Sequence, residues 1–125
     1  MLKTFSKLLL LFVSCVGVLL ASVPDNNSCC RMRRAYWRLR KYKIGDDSCL
    51  YRNVFFQWKV VVEKRCSFSD NCLMNGGAEG LWIGDDMMIA PNCVLVAFGH
   101  GYQNLNVPMI SQPWTHGKSV IEDDV

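Results

Sequence analysis

The chain has 125 residues, half of them apolar and a fifth charged, which fits one modest globular domain and excludes a disordered protein. A net charge of +3 is too small to argue for nucleic acid. Two isolated histidines, His100 and His116, and seven cysteines without a CxxC pair argue against a zinc site, so no metal is expected.

Residues 1–23 form a hydrophobic N-terminal segment. Lys3 and Lys7 precede an apolar run from Leu8 to Val23, diluted by Ser14, Cys15, Gly17 and Ser22. The layout resembles a secretory signal. Against export stand a poor small-residue cleavage site at Ala21-Ser22-Val23-Pro24 and the basic stretch just beyond it, which favours the cytoplasmic side. The run is also short for a comfortable span. Three readings stay open: an anchor on the cytoplasmic face, a cleaved signal and a single span. The first is favoured, and with it a cytoplasmic location and membrane association through the N-terminus.

Residues 24–43 are a basic segment in which Arg31, Arg33, Arg34, Arg38, Arg40, Lys41 and Lys43 crowd together. Tyr36 and Trp37 invite a nucleic-acid reading. An amphipathic helix lying on an anionic membrane beside the apolar run is the simpler account. The expected partner of residues 1–43 is therefore a membrane surface and not nucleic acid.

From residue 44 to 125 a period of six appears. Ile44, Leu50, Phe56, Val62, Phe68 and Met74 fall at every sixth position. After an insertion with Gly76, Gly77 and Gly80 the count restarts at Ile83, Ile89 and Leu95, and after a loop over 101–120 it restarts at Ile121. Four residues behind each large side chain stand Ser48, Val54, Val60, Cys66, Cys72, Ala78, Met87, Cys93 and Gly99, nearly all small. Turn formers lie between them, such as Gly45-Asp46-Asp47, Ser69-Asp70-Asn71 and Gly84-Asp85-Asp86, and Gly, Asn and Asp tolerate left-handed corners. An α-helix cannot keep a period of six through so many breakers. The pattern predicts an all-β domain: a triangular coil with one strand and one corner per hexapeptide, as in parallel β-helices. In this scheme Cys66, Cys72 and Cys93 are small inward residues with free thiols, which agrees with a reducing compartment. Cys29 and Cys30, being adjacent, suit neither a chelate nor a bridge to each other.

The segment Ile83-Gly84-Asp85-Asp86-Met87-Met88-Ile89-Ala90-Pro91-Asn92-Cys93-Val94-Leu95, followed by Phe98-Gly99-His100-Gly101, resembles a core motif of the hexapeptide-repeat O-acetyltransferases. These include the maltose and galactoside enzymes and those of capsular and exopolysaccharide clusters. The loop with Val107-Pro108-Met109-Ile110 and Gln112 is more similar to the polysaccharide type. The resemblance spans about residues 31–125 and is specific from 83 onward. It implies a left-handed parallel β-helix, a homotrimer with the active site between subunits, and further coils beyond Val125 that carry CoA contacts. It also implies acetyl transfer from acetyl-CoA to a hydroxyl of a sugar or polysaccharide precursor. By the same resemblance His100 is the catalytic base, and Asn71 and Tyr102 are placed at the saccharide acceptor.

The chemistry suits the residue. A sugar hydroxyl is too weakly acidic to attack a thioester unaided, and imidazole is the side chain that changes charge near neutrality. General-base help contributes about 10²–10⁴-fold, and backbone N–H donors to the tetrahedral oxyanion add a similar factor. No serine or cysteine stands in a nucleophile context, so direct transfer through a ternary complex is expected. His116 is expected to be structural or exposed, and Trp82, Phe98, Tyr102 and Trp114 could include a sugar-stacking surface. The alternatives are a non-catalytic β-helix scaffold, a truncated inactive relative and, from another class, a secreted cysteine-rich binding protein. A three-histidine zinc hydratase is disfavoured by the histidine count.

Overall fold

The computed structural model describes residues 2–125, with side chains from Ser6 onward; Met1 and the Lys3 side chain of the N-terminal segment lie outside the described residues. Two helices come first. The Leu-rich α1 (Leu2–Ser22) ends just before Val23-Pro24, where the residue preceding proline resists helical backbone. Helix α2 (Asn27–Leu39) starts on Asn26, whose side-chain oxygen accepts the Cys29 N–H at 2.9 Å. That capping satisfies one of the donors every helix start leaves open.

The rest is a three-sided coil of short parallel strands. Strands β1 (Lys43–Ile44), β2 (Cys49–Leu50) and β3 (Phe55–Gln57) lie on three different sheets, and each of the next six strands returns to the sheet of the third one before it. One sheet runs β1, β4 (Val60–Val62), β7 (Leu81–Ile83), β12 (Ser119–Ile121). The second runs β2, β5 (Ser67–Phe68), β8 (Met88–Ile89), and the third β3, β6 (Leu73–Asn75), β9 (Val94–Val96). Ile44 pairs with Val62, Val62 with Ile83 and Ile83 with Ile121. The first step is one turn of three hexapeptides. The Gly76–Gly80 insertion lengthens the second, and the loop lengthens the third. A hairpin of β10 (Phe98–His100) and β11 (Trp114–His116) stands out of the coil within that loop.

Most of the period-six residues fill the interior: Ile44, Leu50, Phe56, Val62, Phe68, Met74, Ile83 and Ile89 are buried, while Leu95 and Ile121 near the far end are half-buried. Cys66 and Cys72 are buried with free thiols, while Cys93 is half-buried. The thiols of Cys66 and Cys72 donate to Gly84 O at 3.0 Å and Ala90 O at 3.2 Å, and burial pushes both above the ordinary thiol range. Ala78 departs from the pattern. It is exposed within the insertion, and Leu81 takes its slot opposite Val60. Corners stack as well. Asp47, Arg65, Asp86 and Asp124 form one column of left-handed residues (φ 57° to 59°), and Asn53, Asn71 and Asn92 form another (φ 56° to 61°).

The all-β expectation is wrong. The chain is mixed, with helices of 21 and 13 residues ahead of the strands, and the helices belong to the core. Cys30, Arg33, Tyr36 and Trp37 of α2 are buried, a stripe at helical spacing. The Trp37 ring meets Tyr42 and Phe56 edge-on at 5.2 and 5.3 Å, so it plugs the first turn of the coil. The apolar face of α2 is thus occupied by protein. Arg33 joins three parts of the chain. Its guanidinium donates to Leu20 O, Val23 O and Leu50 O and pairs with Asp25 at 2.8 Å. Cys30 is not a free thiol: it is bonded to Cys49, which fastens α2 to β2. Among the described residues no helix is long and apolar enough to cross a membrane.

Candidate active site

Period two governs the hairpin. Phe98 and His100 alternate on β10, Trp114 and His116 on β11, and the register sets His100 opposite Trp114 and Phe98 opposite His116. Alternate residues of a strand face the same way, and cross-strand partners stand about 5 Å apart, so one face collects four rings. Trp114 stacks on Phe98 at 4.9 Å and lies 4.4 Å from the His100 ring at 51°. Trp114 and His116 are parallel within 18° at 6.5 Å.

The backbone around His100 leaves little room. A side chain at Gly101 would come within 2.8 Å of Pro113 O, and the Gly101 N–H donates to that carbonyl at 3.0 Å. At the hairpin's base, a side chain at Gly77 would meet the Phe98 ring at 3.2 Å. Beyond Gly101 the loop is tied by Gln112. Its amide donates to Asn104 O and Val107 O, both at 2.9 Å, and accepts the Asn104 N–H at 3.2 Å. The hairpin therefore holds His100 between two fastened segments.

The Nδ1 atom of His100 is buried and has no hydrogen-bond partner among the described residues. Buried polar atoms are nearly always partnered, and the exceptions concentrate where a group has work to do. The two ring nitrogens are chemically distinct, and the partner of one sets the proton on the other. With Nδ1 buried, Nε2 is the ring nitrogen left to meet a partner from outside.

The other expected residues lie differently. Tyr102 lies two residues beyond the end of β10 and is 72% exposed. Asn71 is a rung of the asparagine column: it accepts from Asn53 at 3.0 Å and donates to Asn92 at 3.3 Å. That is a corner-stacking role, and among the described residues no side-chain hydrogen bond links it to the hairpin. Trp82 lies under Lys118, whose ammonium stands 5.3 Å from the ring centre. His116 is exposed and lines a groove of about 310 Å³ together with Phe98, Thr115, Lys118 and Ser119. This residue is closer to the site than its Pro-Trp-Thr-His-Gly turn suggests. The signal for it is the matching Phe-x-His and Trp-x-His spacings, which place both histidines on one hairpin face. Among the described residues no group of three His, Cys, Asp or Glu could hold a metal ion.

No protein-family model, no curated protein and no solved structure matches this chain.

Proposed function

We propose that the protein is an acyltransferase that moves an acetyl group from acetyl-CoA to a hydroxyl of a sugar or saccharide precursor, with His100 as general base. The observation that carries this reading is the His100 ring itself: held on a fastened hairpin, packed on Trp114, with a buried and unpartnered Nδ1. The resemblance of residues 83–101 to the acetyltransferase motif supplies the reaction class. The ring removes the hydroxyl proton as the oxygen attacks the thioester carbonyl. A tetrahedral oxyanion forms, and it collapses with release of CoA, whose sulfur takes up a proton. The stacked face of Phe98, Trp114 and His116 offers the flat apolar surface on which a sugar ring packs, and Tyr102, two residues beyond β10, offers an exposed hydroxyl. Exposed apolar residues on the outer faces, Val94, Val96, Ile110 and Val120 among them, support association of copies, which we take to be a trimer with cyclic symmetry.

A second reading makes His116 the base. It is favoured by the exposure of that ring and its place in the groove beside Lys118. Steady-state kinetics with acetyl-CoA and a saccharide acceptor separate the two. His100→Ala should lower kcat about 10²–10⁴-fold and leave the KM for acetyl-CoA nearly unchanged, because the base acts only in the transition state. A large loss on His116→Ala with normal rates for His100→Ala would transfer the role.

A further inference from the structure

We propose that the N-terminal part of α1 is a lipid-inserting element that seats this protein on an anionic bilayer surface. The inference rests on the helices alone and is independent of the acyl-transfer reading. Leu8, Leu9, Leu10, Leu11 and Phe12 are each between 54% and 66% exposed. Five consecutive residues at 100° apart pass around the whole helix. The segment therefore touches the body of the protein on no side. Contact begins at Val13 and continues at Val16 and Leu20, which pack against the core, and even there Val18 and Leu19 remain 65% and 67% exposed on the outer face.

A helix that is apolar all round needs an apolar solvent and not a single partner. A second copy of α1 would cover one stripe of Leu8–Phe12 and leave the rest in water. A bilayer covers every side. A helix is about 10–12 Å across, and an interfacial helix sinks about 5–10 Å into the boundary of headgroups and acyl chains, which wets nearly its whole circumference. Lys7 lies at the edge of the apolar stretch and reaches back to the headgroups on its flexible stem.

Charge selects the kind of surface. Neither helix carries an acidic residue in its first turn. Asp25 is engaged by Arg33 and Arg52, and Asp46 by Arg38, while Asp47 lies in the groove with Arg31 and Arg34. Arg31, Lys41 and Lys43 have no carboxylate partner among the described residues. Arg31 lies within α2 and Lys41 and Lys43 just beyond its C-terminal end, and α2 packs against α1. Helix α2 runs back along α1, with Arg33 at Leu20 and Tyr36 at Gly17, so Lys41 and Lys43 bring positive charge toward the Leu8–Phe12 end, the combination that anionic lipid attracts.

The test is co-sedimentation of the full chain with sucrose-loaded vesicles, either pure phosphatidylcholine or phosphatidylcholine with about one-third phosphatidylglycerol. The wild type should bind both and prefer the anionic vesicles. Leu9→Gln with Phe12→Gln, both at exposed positions, should weaken binding to either composition by at least about tenfold. Arg31→Gln, Lys41→Gln and Lys43→Gln together should abolish the preference and spare the residual affinity. Circular dichroism checks both variants, and if the apolar pair proves unfolded, the charge triple decides alone. A wild-type chain that stays in the supernatant overturns the proposal, as does an apolar pair that binds normally. Lipid-free ultracentrifugation showing a dimer that needs Leu9 and Phe12, with no vesicle binding, would assign the surface to a second copy instead.

Discussion

Arg33 is the place where the helices and the coil can be uncoupled by one substitution. Its side chain is 4% exposed, and it donates to carbonyls at the end of α1, in the Val23-Pro24 turn and on Leu50 of the coil. Arg33→Met keeps much of the volume and removes every donor. Hydrogen bonds from a charged group contribute about 1.5–3 kcal/mol each, but they do not add here. Asp25 keeps a second partner in Arg52 at 2.9 Å, and the Val23 and Pro24 carbonyls lie near enough to solvent to be rehydrated. The loss should fall near the ~3–5 kcal/mol typical of breaking a buried pair. It should act locally, because Arg33 touches the parallel sheets only at the Leu50 carbonyl of the terminal strand β2 and the Cys30–Cys49 bond still holds α2. Hydrogen exchange read by mass spectrometry should show residues 13–22 losing about 10²–10³-fold of their protection, with strands β4 to β8 unchanged. Equal loss in the strands would mean that the coil cannot stand without the helices. Unchanged protection in α1 would refute the role assigned to Arg33.

The Cys30–Cys49 bond closes a loop of 19 residues, worth ~3 kcal/mol by loop-closure entropy; the Cys30→Ala, Cys49→Ala pair should lose that much in urea titration, and the denatured, unreduced wild type should show five titratable thiols. Gly76→Ala would drive a methyl carbon into the Lys59 carbonyl oxygen, which forces two chain segments apart, so a loss at or above the upper end of the ~1–3 kcal/mol of overpacking is expected by thermal denaturation. The Asp46 and Asp86 carboxyls are held below the usual carboxylate range, each chiefly by a hydrogen bond, from Arg38 and Arg65 respectively. A lowered folded-state value gives stability that is present above the unfolded value of about 3.9 and lost as pH falls through the folded one. The urea midpoint should therefore hold from neutrality down to about pH 5 and fall below pH 4, and Arg38→Met with Arg65→Met should flatten that fall.

Much of the coil is legible in the sequence because its interior repeats. Ile44 to Met74 are spaced by six, each stands at the inward position of a strand, and the column of Asn53, Asn71 and Asn92 follows the same beat. The register slips at Ala78 because an insertion that is not a multiple of six moves the next inward residue, and only the pairing of Leu81 with Val60 shows by how much. The helices escape the pattern for a different reason. Whether Trp37 faces a membrane or the open end of a coil depends on contacts with Tyr42 and Phe56, and Cys30 finds Cys49 only once α2 is docked; neither contact leaves a period in the chain. At the hairpin, His100 is singled out in the sequence only by the resemblance of the stretch before it. The ring stack on Trp114 needs the antiparallel register, which a long loop with several polar residues conceals.

The most direct test of acetyl transfer follows label from ¹³C-acetyl-CoA into a panel of mono- and oligosaccharides by mass spectrometry, for the wild type, His100→Ala and His116→Ala. Transfer with His100 as the base predicts a labelled saccharide from the wild type and from His116→Ala, and none above background from His100→Ala. Labelled product from His100→Ala at the wild-type rate, or a folded wild type that labels no saccharide, would contradict it.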